Sequence, residues 1–389
     1  MNKRILLFIT CVFIFLALGM RAQDAHFSQF YSNPLYLNPA YAGFDAGTSV
    51  ILNTRTQWFG VPDGTETPYR SGYNTHSVTV GLQAPCLVRN ENITFGFALI
   101  GMRDEAGLAP LSTSAFGLAA SLELKLASNL LMRAGVQQSR MWKRLRSVDL
   151  FFSDQLNPYD RTIADPTNIE LTTGGYNNTN VGLLFRGKFD MEKGREEVIY
   201  TIGGAIANVN EPNISFYDGP FKDTLSRRFT LHGSIRKEMK SFIGVQHRDP
   251  WYLGFQARYD IQAGGDLQWI TTGLSYSNQY FSFGTYVQFN PNKRLEVNGI
   301  MVDPILANNN TLLSLSAGVN ISRLRNGDIA ERDVIVGLSY DFQLGGLPTS
   351  TAVGTLELSA KVNFFPRRNS NCNGPNYGKL FKNCPVFAD

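Results

Sequence analysis

The chain has 389 residues, of which 12% are aromatic and only 17% are charged, a balance that suits a transmembrane barrel whose strands hide their hydrophobicity by alternation. The formal charge is +4, but a predicted leader removes Lys3, Arg4 and Arg21 and no acid, which lowers the charge to about +1. The basic balance is therefore excluded as a sign of nucleic-acid binding.

Residues 1–22 are predicted to be a signal peptide. Lys3 and Arg4 form its charged start, residues 5–18 are almost wholly apolar, and cleavage is predicted after the small residue Ala22. A transmembrane anchor is the alternative, but the apolar run is short for the roughly 20 residues that a spanning helix needs. No later stretch approaches about 18 consecutive apolar residues, so no transmembrane helix is predicted to follow.

Residues 23–45 are predicted to be an N-terminal periplasmic arm or plug. Pro34 and Pro39 each follow an Asn and favour an extended or turn conformation, and the segment has neither a helical nor a strand period. It is too apolar for a solvated linker, so it is expected to pack onto the rest of the chain or into it. Its candidate partner-binding residues are Phe27, Phe30, Tyr31, Asn33, Pro34, Asn38, Pro39 and Tyr41.

Alternation of apolar and polar residues dominates the chain after residue 46. In 251–260 and again in 355–364, every second residue is apolar, and nine or ten residues of period two are what a tilted membrane strand needs. Further strands are predicted near 47–58, 75–84, 92–99, 112–125, 129–142, 178–188, 197–209, 227–237, 266–277, 279–290, 313–320 and 334–342.

The predicted fold is all-β, a transmembrane antiparallel barrel of about fourteen strands over residues 46–366, followed by a periplasmic tail over 367–389. A weaker pattern at 295–306 would add a fifteenth strand. An even count places both termini on the periplasmic side, so this stretch is assigned to a loop. A soluble β-sandwich is the alternative, but it does not need an apolar face on every strand around a complete circuit.

The predicted connections sort by length. If the first strand runs outward, the outside loops include 59–74, 143–177, 210–226 and 291–310, and the inside turns, such as 126–128 and 238–250, are mostly shorter. Loop 143–177 is about 35 residues long, so it is expected to be functional or disordered. It is interpreted as a partner-binding surface or as a cover over the barrel mouth. Its candidate partner-binding residues are Phe151, Phe152, Asp154 and Gln155.

Charged and polar residues fall on the faces of the strands that are predicted to point inward. The lumen residues are predicted to be Arg55, Gln57, Arg133, Arg186, Arg258, Asp260, Asp341, Glu357 and Lys361. Their charges either pair with one another or hold the N-terminal arm or a substrate. Because a barrel of about fourteen strands is too wide for its own side chains to fill, water or a plug must occupy it. Residues 24–44 are the available plug.

Three cysteines remain after the signal peptide is removed. Cys372 and Cys384 lie close together in the tail, so a disulfide between them is predicted in an oxidising compartment, with Cys86 either free or competing. A zinc site is a poor alternative, since no His lies near the pair. No HExxH, CxxC, P-loop or GxSxG motif is present, and His76-Ser77 alone is a weak sign of a hydrolase. No cofactor, no enzymatic activity and no nucleic-acid partner are predicted.

Residues 26–43, HFSQFYSNPLYLNPAYAG, followed by the RTQW of 55–58, resemble the opening signature of the PorP/SprF family. These are outer-membrane proteins of the type IX secretion and gliding machinery of Bacteroidetes. DLFFSDQL at 149–156, GAIANVNEPNISF at 204–216 and GLSYDF at 337–342 extend the resemblance. Two features depart from the family pattern: the last strand lacks the usual Ser-His-Glu, and the chain continues past Phe365 into a tail with two cysteines.

The resemblance implies a non-enzymatic protein of the outer membrane, embedded in its lipid. It implies two roles: docking the periplasmic ring of the secretion machine, or supporting export or surface anchoring of a large secreted adhesin that carries a type IX C-terminal domain. The alternative function, from a different class, is passive transport of small or hydrophobic solutes, which a wide lumen and an N-terminal plug would equally serve.

Overall fold

A computed structural model describes residues 27–59, 73–84, 87, 90, 92–106, 111–150, 167–191, 196–216, 223–242, 245–262, 267–291, 295–297, 300–302, 311–326, 332–344 and 353–364. The predicted signal peptide and its cleavage site therefore lie outside the described residues. Six predicted side chains lie outside them as well: Phe151, Phe152, Asp154, Gln155, Cys372 and Cys384.

The strands follow one another along the chain after a short N-terminal segment. In order they are β1 (Thr48–Phe59), β2 (Tyr73–Ala84), β3 (Ile93–Ala106), β4 (Leu111–Ala127), β5 (Leu130–Leu150), β6 (Thr167–Thr172), β7 (Tyr176–Met191), β8 (Glu196–Ala207), β9 (Arg228–Phe242), β10 (Val245–Gln262), β11 (Leu267–Ser277), β12 (Phe281–Phe289), β13 (Leu295–Val297), β14 (Ile300–Val302), β15 (Leu312–Asn320), β16 (Arg332–Gln343) and β17 (Val353–Phe364). The helices are α1 (Pro34–Leu37), flanked by 3-10 turns at Phe30–Ser32 and Pro39–Tyr41, and α2 (Ile321–Asn326).

Within the described ranges, fourteen antiparallel strands close into one barrel. Successive strands are paired, except that β5 pairs with β7 across β6 and β12 pairs with β15 across β13 and β14. The short strand β6 pairs only with the end of β5 and is not counted in the barrel. The barrel closes at β1, which pairs with both β2 and β17, so that Thr48 lies opposite Leu82 on one side and Phe364 on the other. Closure leaves the barrel wall without a free edge, so its backbone groups bond within the wall. The predicted barrel of about fourteen strands is confirmed. β13 and β14 form a separate hairpin and add no strand to the barrel.

The barrel wall is apolar on its outer face and polar on its inner face, which is the reverse of the arrangement in a water-soluble protein. On β2, Val78 is 41% exposed, whereas its neighbours Ser77 and Thr79 are 8% and 5% exposed. The last strand repeats the pattern, with Leu356 and Leu358 outward. An apolar surface of this kind around a whole barrel is unfavourable in water and favourable in a hydrocarbon layer. No helix in the described part of the chain is long and apolar enough to cross a membrane.

Two predicted connections contain more strand than expected. β5 continues to Leu150 and pairs with β6, so that Arg144 lies opposite Thr172, and part of the predicted loop 143–177 is an extended hairpin. β9 and β10 likewise extend through most of the predicted turn 238–250, with a register shift between Gln246 and Trp251. The apolar alternation fades in these stretches because a strand that extends past an apolar layer no longer needs an apolar face.

The two ends of the barrel differ. We call the end where β1 begins and β17 ends the short-turn end, and the opposite end the long-loop end. At the long-loop end, the connection between β8 and β9 turns inward. Its residues Ile214 and Leu225 pack against Met141 and Tyr176, which lie on neighbouring strands of the wall. The described residues of this connection therefore cover part of the mouth.

Candidate functional site: the lumen and the segment inside it

Residues 27–44, here called the lumen segment, lie inside the barrel. They contact β17 through Ser28, β2 through Asn33, β8 through Asn38 and β5 through Ala40, which are strands on different sides of the wall. The segment continues into β1 at the short-turn end, where Asp45 accepts a bond from Lys361 at 2.8 Å. The lumen of the barrel is therefore occupied by its own N-terminal segment.

Two Asn-Pro steps shape the lumen segment, as short helical turns and not as the extended chain that was one of the predicted alternatives. Pro34 and Pro39 stand at the start of a helical turn, where a missing backbone N–H is not needed. The Oδ1 of Asn38 accepts a bond from the Ala40 N–H at 2.9 Å and caps the second of these turns. The segment is thus compact across the lumen.

Asn38 binds the barrel wall with its side-chain amide. Its Nδ2 donates to the carbonyl oxygens of Leu183 at 3.1 Å and Gly204 at 3.2 Å, and lies 3.0 Å from Nε2 of His232. Asn38 is fully buried, so these bonds are made away from bulk solvent. A buried amide with its donors and acceptor both engaged specifies one position for the segment.

Arg133 holds the backbone of the lumen segment from β5. Its Nε donates to the Ala40 carbonyl at 3.0 Å, and its Nη2 donates to the Ala42 carbonyl at 2.7 Å. The same guanidinium pairs with Glu123 at 2.8 Å. Arg133 is 1% exposed, and a guanidinium whose fork is filled by carbonyls and a carboxylate makes strong, directional bonds.

A second anchor joins the start of the lumen segment to β16 and β17. The backbone N–H groups of Ser28 and Gln29 donate to Oε2 of Glu357 at 3.0 and 3.2 Å. The Ser28 hydroxyl donates to Asp341, which also accepts from Ser314. Backbone donors aimed at a buried carboxylate replace the water that it would otherwise need.

Glycines on the wall leave room for the backbone of the lumen segment. A Cβ atom added at Gly96 would lie 2.0 Å from the Ala42 carbonyl oxygen, and one at Gly182 would lie 1.9 Å from Asn38 Oδ1. A Cβ atom at Gly135 would lie 2.4 Å from the Pro39 carbonyl carbon. These approaches are shorter than any real Cβ contact, so the three positions require glycine while the segment is seated.

Aromatic rings of the lumen segment lie over arginines of the wall. The guanidinium carbon of Arg228 is 4.9 Å from the centre of the Tyr36 ring, and those of Arg186 and Arg133 are 4.9 and 5.2 Å from the centre of the Phe44 ring. Cation–π contacts of this kind contribute about 0.5–2 kcal/mol each. The segment itself contributes no acid to these contacts, since residues 27–44 contain neither Asp nor Glu.

Tyrosine and phenylalanine rings complete the packing. Tyr31 stacks on Tyr286 of β12 with ring centres 5.1 Å apart, and Phe30 meets the same ring edge-on at 6.2 Å. Burial raises the pKa of the Tyr31 phenol above its usual value, so the phenol stays neutral in this site. Leu35 packs on Ala98 and Ala119 of the wall.

The structure places the predicted residues of the arm against the barrel and not at its rim. Phe27, Phe30, Tyr31, Asn33, Asn38, Pro39 and Tyr41 are buried, and Pro34 is half-buried. Of the two predicted alternatives, an arm or a plug, this conformation is that of a plug. The reason is that its apolar rings and side-chain amides find partners deep in the lumen.

The predicted lumen residues lie on inward faces, all buried except the half-buried Gln57. The structure brings together Arg55 with Gln57 at 2.9 Å and Arg258 with Asp260 at 2.5 Å. Sequence reasoning missed five inward residues that shape the site, although the alternation of β9 placed three of them on one face: Arg228, His232, Arg236, Gly135 and Gly182. In the described part of the chain, no group of three or more His, Cys, Asp or Glu side chains is arranged to hold a metal ion.

A closed fourteen-strand wall with an apolar exterior and a polar, occupied lumen defines a β-barrel protein of the outer membrane. The chain belongs to the family described as type IX secretion system membrane protein PorP/SprF, whose family model matches residues 19–362. The family resemblance stated from the sequence is thereby confirmed. Among curated proteins, none matches the chain.

Three solved structures have a fold similar to that of this chain. A FadL homologue from Pseudomonas aeruginosa is 15% identical, with 84% of this chain and 91% of that chain covered and a TM-score of 0.39. The deltaS2 mutant of the TodX monoaromatic hydrocarbon channel is 10% identical, with 85% and 93% covered and a TM-score of 0.43. BamA from Haemophilus ducreyi lacking POTRA domains 1–3 is 8% identical, with 82% and 71% covered and a TM-score of 0.40.

Proposed function

We propose that this chain is a non-enzymatic docking component of the type IX machinery in the outer membrane. It supports export or surface anchoring of a large secreted adhesin that carries a type IX C-terminal domain. The observation that supports this role is the occupied lumen, in which Arg133, Asn38 and Ser28 bind the lumen segment to different parts of the wall. A barrel sealed in this way acts through its ends and not through an open channel.

The short turns and the even strand count support an orientation of the barrel in the membrane. The signal peptide is cleaved after Ala22, and the even strand count leaves both termini in the periplasm, at the short-turn end. This end, with the tail 367–389, faces the periplasmic ring. Cys372 and Cys384 close a disulfide in that tail, which mass spectrometry of a non-reduced digest detects as one cross-linked peptide.

The long-loop end faces outward and binds the adhesin. Its support is the extension of β5 beyond the barrel, paired with β6 between Arg144 and Leu150, which gives the loops a rigid base. In the sequence, Phe151 and Phe152 come directly after Leu150, the last residue of β5, and Asp154 and Gln155 follow shortly after them. Aromatic anchors in a polar setting are what a binding patch needs.

Two measurements test the docking role. The intact protein in a planar bilayer is expected to show no steady conductance, and deletion of its gene is expected to remove the partner adhesin from the cell surface. Replacing Phe151 and Phe152 by Ala is expected to reduce adhesin display at normal barrel levels, with no new conductance. A steady open channel in the intact protein would favour the passive-transporter alternative. Undiminished adhesin display in the deletion strain would exclude the docking role.

A further inference from the structure

A groove lies on the outer face of the barrel wall and crosses β7, β8, β9 and β10. Its volume is about 470 Å³, which is within the range of pockets that hold small ligands. Most of its lining is apolar and comes from side chains on the lipid-facing side of these strands: Val181, Leu183, Ile206, Phe229 and Leu231. We call this feature the wall groove.

Gly204 forms the floor of the wall groove. In the strand register it lies between Leu183 of β7 and Leu231 of β9, which are 41% and 59% exposed. A Cβ atom added at Gly204 would meet nothing nearer than the Thr230 carbonyl oxygen, at 3.8 Å, so the space above the floor is open. Because this space is apolar and opens onto the hydrocarbon layer, the occupant that fits it is an acyl chain of a membrane lipid.

The wall groove lies in the half of the wall nearer the long-loop end. Ile206 is the last residue but one of β8, which ends there, and Phe229 is the second residue of β9, which begins there. In the orientation proposed above, this half faces the outer leaflet of the outer membrane. The characteristic lipid of that leaflet is lipopolysaccharide, whose lipid A part carries acyl chains on a phosphorylated glucosamine disaccharide.

A basic side chain stands on one side of the polar rim above the wall groove. Arg140 of β5 is exposed and lies opposite Asn177 of β7 in the strand register. Its guanidinium donates to the Asn177 Oδ1 and to the Gly174 carbonyl oxygen, each at 3.2 Å. Within the described part of the chain, these neutral oxygens are its hydrogen-bond partners. A phosphate can replace them, since a charged acceptor makes the stronger bond to a guanidinium.

A second basic side chain stands on the other side of the rim. Arg227 is exposed and comes two residues before Phe229 of the groove lining. Its Nε donates to the Val209 carbonyl oxygen at 3.1 Å, and its Nη2 lies 3.5 Å from the Glu211 carboxylate. Exposed ion pairs of this kind are weak, so a phosphate can compete with Glu211. Three strand spacings of about 4.8 Å separate β5 from β9, so the two arginines are about 14 Å apart across the strands.

Exposed amides lie on the rim between the two arginines. Asn210 donates from its Nδ2 to the Asn177 carbonyl oxygen at 2.7 Å, and its Oδ1 accepts from the Thr179 N–H at 3.0 Å. Thr179 is two residues before Val181 of the groove lining, so this polar layer directly adjoins the apolar one. Amide groups in this position suit the hydroxyl and carbonyl groups of a sugar headgroup.

We propose that the wall groove and its rim bind one lipopolysaccharide molecule of the outer leaflet. An acyl chain lies over Gly204, and the phosphates at the two ends of the disaccharide pair with Arg140 and Arg227. A phosphatidylethanolamine molecule matches this site less well, because it has one phosphate whose charge is offset by its own amine. The inference goes beyond the proposed docking function and uses only the orientation from it.

The test uses the full-length protein in detergent, from which bound lipid has been removed by exchange. Titration with Kdo2-lipid A, followed by native mass spectrometry, is expected to show one tightly bound molecule per barrel. Phosphatidylethanolamine is expected to bind at least tenfold more weakly, and so is lipid A from which both phosphates have been removed. Binding of all three lipids with equal affinity would mean that the wall has only unspecific lipid around it, and it would overturn the proposal.

Substitutions assign the binding to the groove and its rim. Arg140→Gln with Arg227→Gln is expected to weaken Kdo2-lipid A binding at least tenfold, and Gly204→Phe, which fills the floor, at least fivefold. The matched control for the arginines is Arg103→Gln, an exposed arginine on β3 that pairs with Glu105.

The matched control for the floor is Gly233→Phe. Gly233 lies opposite the outward Ile202 in the strand register and is not part of the groove lining. Both controls are expected to leave binding unchanged, and heat-modifiable mobility on gels verifies that each variant is folded. Full binding by either the paired arginine variant or the Gly204→Phe variant overturns the proposal. Adhesin display is not measured in this test, so its failure leaves the docking function standing.

Discussion

Asn38 and Gly182 are in contact because Gly182 has no side chain: a Cβ atom there would lie 1.9 Å from the Asn38 Oδ1. The two residues belong to parts of the chain that are 144 positions apart. The Asn38 side chain caps a helical turn through its Oδ1 and bonds to the wall through its Nδ2. The seating of Asn38 against β7 therefore requires that position 182 carry no methyl group.

Gly182→Ala is expected to unseat the lumen segment near Asn38. Overpacking of this kind typically costs about 1–3 kcal/mol, since either the wall or the amide must move. The measurement is protease access to residues 27–44 in the folded, membrane-embedded protein, together with the urea midpoint of the barrel. The matched control is Gly204→Ala, where the nearest atom to an added Cβ is 3.8 Å away. Equal protection of the segment in both variants would contradict the close contact.

Arg133→Met is expected to destabilise the barrel by about 3–5 kcal/mol, because Glu123 then remains buried without its cation. The Ala40 and Ala42 carbonyls lose their donor at the same time. Adding Glu123→Gln is expected to recover part of the loss, since it removes the buried lone charge. Arg144→Met breaks an exposed ion pair and is expected to cost below about 1 kcal/mol. Similar urea midpoints for Arg133→Met and Arg144→Met would show that Arg133 does not hold the segment.

Leu231→Arg is expected to impair insertion into the membrane. Leu231 is 59% exposed on the outer face of β9, and an arginine near the middle of the hydrocarbon layer costs about 2–4 kcal/mol. Leu344 is equally exposed, but it follows the end of β16 at the long-loop end. Leu344→Arg is therefore expected to cost only about 0–1 kcal/mol. Reversible unfolding from lipid vesicles gives both values, and a larger effect at Leu344 would refute the placement of the wall in the membrane.

Removal of residues 24–44 is expected to leave a folded barrel that no longer supports adhesin display. The wall keeps its strand pairing, because β1 bonds to β2 and β17 without the segment. Heat-modifiable mobility reports folding, and surface labelling of the adhesin reports function. Normal display by a folded truncated barrel would show that the segment is a structural cap alone. Loss of folding would show that Arg133, Glu357 and Asn38 belong to one core with the segment.

The strands of the barrel and the face that each residue occupies could be predicted from the sequence, since the alternation of side chains along a strand is a local pattern. A side-chain period of two places Val78 and Leu358 on one face and Ser77 and Glu357 on the other, whatever the partner strand is. The same pattern predicts the polar lumen. It fails where β5 and β10 extend beyond the apolar layer, because there neither face has to be apolar.

The tertiary structure decided what occupies the lumen. Ser28 and Glu357 are 329 positions apart, and Asn38 and Leu183 are 145 positions apart, so no local pattern pairs them. An unpatterned aromatic segment needs burial, but its composition does not say where. Its place follows from shape and polarity that exist only in the closed barrel: glycines that admit its backbone, and arginines and carboxylates that bond it. The sequence determined the wall by the alternation of side chains, and closure of that wall into a lumen decided the position of the segment inside it.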